Sequence, residues 1–115
     1  MNKVILTGRL TKEPEVKRTA SNKVVMTFSL AVDRHDKDKN TDFPSCVAWG
    51  TTADLIAKYC HKGDKIGIEG SIRTRSYDGN NGKVYVTEVL VNEVEFLSDR
   101  KQTEQTASDE FEDMF

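Results

Sequence analysis

The chain has 115 residues, of which 37% are hydrophobic and 31% charged, with a formal net charge of −2. That length supports one hydrophobic core and excludes an enzyme with separate cofactor and substrate lobes. No apolar run reaches membrane-spanning length, and the opening residues Met1 to Arg9 turn polar too early for a secretory signal, so neither a membrane protein nor a secreted one is expected. Cys46 and Cys60 form neither a disulfide framework nor a Cys-x-x-Cys pair and read as buried thiols in a reducing compartment.

Period-two alternation dominates up to residue 97 and predicts five strands. The first spans 3–10. The second spans 23–33, with Val24, Met26, Phe28, Leu30 and Val32 on one face. The third spans about 43–49, the fourth 65–76 with Ile66, Ile68, Gly70 and Ile72 on one face, and the fifth 83–97. Between the third and fourth, Thr52 to Cys60 is the one helix candidate, with Thr51 or Thr52 as N-cap, Gly63 as stop signal, and Leu55, Ile56 and Tyr59 on the buried face. Phe28 and Phe96 are expected in the core. Tyr77 to Gly82, rich in Asp-Gly and Asn-Gly signals, reads as a long hairpin tip.

This order predicts an all-β fold, a five-stranded OB-fold Greek-key barrel with one helix between strands 3 and 4. An SH3-like barrel is the nearest competitor and lacks a helix of this length there. Residues 1–97 form the expected domain and carry 15 Lys and Arg against 13 Asp and Glu. Beyond them Arg100 and Lys101 face Asp99, Glu104, Asp109, Glu110, Glu112 and Asp113. The expectation is a disordered linker over 98–108 and an acidic C-terminal tip over 109–115.

Parts for catalysis are missing. His35 and His61 have no metal-ligand spacing with either cysteine, so no metal or cofactor is expected. Gly79-Asn80-Asn81-Gly82-Lys83 has too few residues between its glycines for a phosphate loop and leads into a strand. Glu93 and Glu95 alternate along a strand and read as solvated.

Parts for binding are present. Phe43 and Trp49 share parity on the third strand, roughly 20 Å apart at a rise of about 3.3 Å per residue. Arg73, Arg75 and Tyr77 share parity on the fourth, and Tyr85 sits across the hairpin. Rings that stack on any base beside cations that follow phosphates make a sequence-tolerant groove for single strands. Arg73, Arg75 and Tyr77 read equally well as a charged edge that blunts aggregation.

Asn2-Lys3-Val4-Ile5-Leu6-Thr7-Gly8-Arg9-Leu10 with Glu13-Pro14-Glu15, Phe28-Ser29-Leu30-Ala31-Val32, Val47-Ala48-Trp49-Gly50, Lys62-Gly63-Asp64, Ile68-Glu69-Gly70, Arg73-Thr74-Arg75-Ser76-Tyr77 and Tyr85-Val86-Thr87-Glu88-Val89 together resemble the bacterial, phage and plasmid single-stranded DNA-binding proteins. The resemblance covers nearly the whole chain. It implies an OB barrel, a homotetramer, and sequence-independent binding of single-stranded DNA in replication, recombination and repair. It implies no enzymatic activity and a cytoplasmic, nucleoid-associated setting in a bacterium or a phage-infected cell. By position it implies base stacking at Phe43, Trp49 and Tyr77, basic residues of the same strand at Arg73 and Arg75, and added phosphate contacts at Lys3 and Arg9; Arg34 and Tyr85 complete the expected DNA-binding residues.

The chain departs from the family pattern at Asp36, where relatives often carry another stacking aromatic, and at Pro44 and Ser45, where some members have His-Arg. Asp109, Glu110, Phe111, Glu112, Asp113, Met114 and Phe115 resemble the family's partner-binding tip, with Met114 in place of the usual proline. That tip implies docking to replication, recombination and repair proteins. A purely solubilising tail is the plainer reading of such acidity. A primosome-like adaptor of the same fold, binding mainly proteins, is the alternative function.

Overall fold

In the computed structural model, which describes residues 1–98, seven strands and one helix follow in the order β1 (Val4–Leu10), β2 (Lys17–Arg18), β3 (Val24–Asp33), β4 (Thr41–Asp42), β5 (Ser45–Trp49), α1 (Gly50–Tyr59), β6 (Lys65–Gly79) and β7 (Gly82–Phe96). The expected linker and acidic tip lie outside the described residues, apart from Ser98.

The five-stranded OB-fold Greek-key barrel with a helix between strands 3 and 4 is corrected. The strands form one seven-stranded mixed sheet in the order β1-β6-β7-β5-β3-β2, with β4 paired to β3 off that path and β1 returning to β3. The helix falls between β5 and β6. Two of the pairings that make this ring have only two rungs each, Arg9↔Ala31 and Leu10↔Leu30 for β1–β3, and the parallel Cys46↔Val89 and Val47↔Leu90 for β5–β7. The extra strands β2 and β4 are two-residue ladders on β3, in the stretches between the strands expected at 3–10, 23–33 and 43–49. Two residues are too few for alternation to register.

The core follows from parity. Met26 and Leu30 of β3, Cys46 and Ala48 of β5, Ile66 and Ile68 of β6, and Val89 and Val91 of β7 are buried together with Ala53, Ile56 and Cys60. Each large aliphatic contributes about 1.5–3 kcal/mol on burial. Phe28 packs against this cluster, half-buried. Phe96 does not join it: it is exposed and lies 5.8 Å, ring centre to ring centre, from Tyr59.

The helix also differs from expectation. It follows β5 without a loop, its N-cap is Trp49, and no side chain caps it. The reversal is made at Gly50, whose φ of 58° lies in the left-handed region that suits glycine. Ala53 and Ile56 are its buried residues, whereas Leu55 and Tyr59 are exposed.

Gly70 of β6 faces the core opposite a bulge in β7, where the register shifts between Glu69 and Gly70. A Cβ there would lie 1.9 Å from the Leu90 carbonyl oxygen, so backbone occupies the space of a side chain. Beyond the β5 rungs at Val89 and Leu90, β6 and β7 continue as a two-stranded ribbon, mostly exposed, to a tight two-residue turn at Asn80 and Asn81 rather than the long tip expected.

Candidate nucleic-acid interface

The ladder of the ribbon sorts its side chains between two faces. Arg73 is paired with Glu88, Arg75 with Val86 and Tyr77 with Val84; between them alternate Ile72 with Val89, Thr74 with Thr87 and Ser76 with Tyr85. Val89 is a core residue, so its row continues the core-facing side. Arg73, Arg75, Tyr77 and Glu88 therefore share the outer face, and Tyr85 lies on the opposite one. Sequence parity brought the first three together correctly but could not place Tyr85 relative to them.

The outer face continues across the sheet. Leu90 is beside Ser71 on one side and Val47 on the other, and Val47 is beside Thr27 of β3. Trp49, opposite Val25, projects from this face at one end of β5. Phe43 precedes the other end but is not part of the strand: β5 begins at Ser45, and the Pro44 carbonyl accepts a hydrogen bond from the Leu30 N–H. A straight-strand spacing of Phe43 and Trp49 thus does not apply. Both rings are accessible, Phe43 at 61% and Trp49 at 44% of full exposure.

Most of the expected cations are engaged. Arg75 Nε donates to Glu88 Oε1 at 2.8 Å, and this hydrogen bond, then the carboxylate's charge, raises the Arg75 pKa above its ordinary value. Arg34 meets Asp42 Oδ1 through Nε and Nη2, both at 3.0 Å, beside Phe43. Lys3 Nζ lies 2.8 Å from Glu69, whose hydrogen bond and charge push the lysine pKa up. Arg9 Nη1 donates to the Gly63 carbonyl at 2.9 Å. Its rung is Lys65, ten residues along β6 from Arg75 and so roughly 30 Å away, and it does not join the ribbon face. Among the described residues Arg73 makes no hydrogen bond or ion pair.

Glu88 is the residue that the sequence reading left out of the site. Its signal was available: once Asn80 and Asn81 are taken as the turn, counting outward pairs residue 73 with 88. Burial pushes the Cys46 thiol up to about 12, which leaves it protonated and inert. Among the described residues no group of three or more His, Cys, Asp and Glu could hold a metal ion, and no helix is long and apolar enough to cross a membrane.

Exposed rings and partly free guanidiniums on one side of a sheet can stack bases and neutralise phosphates. Comparison with known proteins agrees with that chemistry. Residues 1–97 match the single-strand binding protein family. The chain is 43% identical over 106 residues to "Single-stranded DNA-binding protein 3" of Listeria innocua, covering 88% of this chain and 66% of that protein. It is 46% identical over 105 residues to a "Single-stranded DNA-binding protein" of Bacillus cereus, covering 87% and 62%. It is 45% identical over 113 residues to "Single-stranded DNA-binding protein 1" of Lactococcus lactis, covering 93% and 75%. The chain thus spans under two thirds of the length of the first two of these relatives. It belongs to the single-strand binding protein family.

Proposed function

We propose that this member of the single-strand binding protein family binds single-stranded DNA without sequence preference, through base stacking and phosphate contacts rather than catalysis. The observation that carries the reading is the outer face that sets Tyr77 beside Arg73 and Arg75, with Trp49 exposed at the end of β5 and Phe43 exposed just before that strand. Stacking is worth about 1–3 kcal/mol per base and tolerates any base, and guanidiniums supply the salt-dependent part. The strand runs over the outer face past Phe43, Arg73, Arg75 and Tyr77. Lys3 and Arg34 exchange their carboxylate partners for phosphates, and Tyr85 and Arg9 contact only DNA that turns beyond that face.

The binding domain comprises residues 1–97, joined by a linker at 98–108 to an acidic tip at 109–115 that recruits replication, recombination and repair proteins. The apolar Phe111, Met114 and Phe115 interleaved with the acidic Asp109, Glu110, Glu112 and Asp113 suit a basic, apolar pocket on such partners. Copies of the chain assemble, as a homotetramer, in the cytoplasm of a bacterium or a phage-infected cell. Self-association is supported by β1, which pairs with β6 from Val4 to Arg9 but with β3 only at Arg9 and Leu10, and which exposes Ile5.

The test is titration of Trp49 fluorescence with oligo-dT at two salt concentrations, beside duplex DNA and oligo-U. Deep quenching by oligo-dT that weakens with salt is expected. Binding that is indifferent to salt, or stronger to duplex, would refute the reading.

A further inference from the structure

The Glu88 carboxylate sits among the residues proposed to meet phosphate, where a negative charge would ordinarily be counted as a defect. Three acids pair with the cations of the candidate interface, and they differ in one respect. Asp42 is about half exposed and Glu69 is a quarter exposed, whereas the Glu88 side chain retains 13% of its accessible surface. An exposed acid can swing into water when phosphate replaces it, so such pairs hold weakly. Glu88 has little such freedom, because releasing Arg75 would leave a largely buried carboxylate without that partner.

The contact geometry leaves the arginine usable. Glu88 takes the Nε hydrogen of Arg75, and no partner within the described residues takes its two terminal nitrogens. Arg73 stands directly opposite Glu88 on the same face. A guanidinium is a planar fork with five donors, so one carboxylate on Nε fixes its orientation while the terminal edge still faces outward.

We infer that Glu88 is a positioning residue for DNA binding, a nearly buried carboxylate that aims the Arg75 guanidinium at a backbone phosphate and stays in place when the strand is bound. This rests on the proposed single-strand binding, and it predicts the opposite of simple charge counting. Removing the acid makes the face more positive yet weakens binding, because Arg75 then samples many rotamers and its phosphate contact is lost.

The experiment compares wild type with Glu88→Gln on oligo-dT across a salt series, in the full chain. Glu88→Gln is expected to bind several-fold more weakly at moderate salt, with the slope of log K against log salt flatter by about 0.7, the value of one phosphate contact on a single strand. Arg75→Lys, which keeps the charge but loses the planar fork, should reproduce the loss, and it serves if Glu88→Gln does not fold. In an Arg75→Gln background Glu88→Gln should change neither affinity nor slope. Tighter binding with a steeper slope would overturn the inference, as would an equal loss in both backgrounds, which would show Glu88 acting through the fold. Wild-type chain that fails to bind oligo-dT would instead overturn the functional reading, and this inference with it.

Discussion

Replacing Tyr77 and Tyr85 by alanine, one at a time, separates the area of an exposed ring from its placement. Tyr85 is the more exposed, at 77% against 51%, so if accessible ring surface set the binding energy Tyr85→Ala would cost more. The register argues otherwise. Tyr77 shares its face with Arg73 and Arg75, so a base stacked on it carries phosphates within reach of two guanidiniums. Around Tyr85 the same-face neighbours are Thr74, Ser76 and Thr87, and the one cation, Lys83, is opposite Asp78. Tyr77→Ala should weaken binding of a short oligo-dT by about 1–3 kcal/mol, roughly 5- to 150-fold in Kd. Tyr85→Ala should stay within about twofold, the range of an ordinary surface substitution. Folding is a smaller effect in both, since losing the Tyr77–Val84 cross-strand pair costs only about 0.2–1 kcal/mol. Anisotropy of an end-labelled oligonucleotide, with thermal melts as control, measures both quantities. A Tyr85→Ala loss equal to that of Tyr77→Ala would refute the assignment of the strand to one face.

Trp49→Ala and Phe43→Ala should each weaken oligo-dT binding by about 1–3 kcal/mol with cooperative melts retained; unfolding of either would mean that the ring is structural. Gly70→Ala should destabilise severely, by roughly 4 kcal/mol or more, because its methyl would overlap the Leu90 backbone; a denaturant midpoint near wild type would contradict that. Cys46 is raised from 9.0 to about 12, so its unfolded form loses the proton first and stability falls as pH rises from about 9 towards 12; a Cys46→Ala variant should lack this part of the alkaline loss in denaturant melts. Deleting residues 109–115 should leave oligo-dT affinity equal or slightly higher, since the acids compete with phosphates for cations; a large loss in the same titration would count against the proposed tip.

What the sequence disclosed depended on how local the cause was. Strands long enough to alternate, such as β3 and β6, were placed within a few residues, because period two is imposed by side chains meeting one core. Ladders of two residues, Lys17–Arg18 and Thr41–Asp42, leave no period, and the parallel rungs joining Cys46 to Val89 and Val47 to Leu90 join residues more than forty apart. The helix was found and Ile56 was correctly placed inside, but Leu55 and Tyr59 carry apolar signal without being buried, while tertiary packing adds Ala53 and Cys60. For the site, Arg73, Arg75 and Tyr77 were legible as one row. The far side of the hairpin was not, because the turn was read as six residues instead of two, leaving the pairing of Tyr85 and Glu88 undetermined.

The site lies where the core ends, and the two facts share a cause. On β6 the buried residues end at Gly70 and on β7 at Val89; beyond them the strands run on for several residues with no fully buried side chain. An unsupported two-stranded ribbon is marginal in water, so this one depends on how firmly its root is held. The root is held by the two parallel rungs to β5 and by the contact that only glycine permits at residue 70. Both outer-face guanidiniums, Tyr77 and Glu88 stand just beyond that anchor. A fold selected for stability alone would gain little from side chains carried past its core, whereas a surface that must curve along a flexible strand requires them. The close approach at Gly70 therefore sets more than local packing: it fixes the root of the ribbon that carries Arg73, Arg75 and Tyr77, and the proposed stacking and phosphate contacts depend on that root.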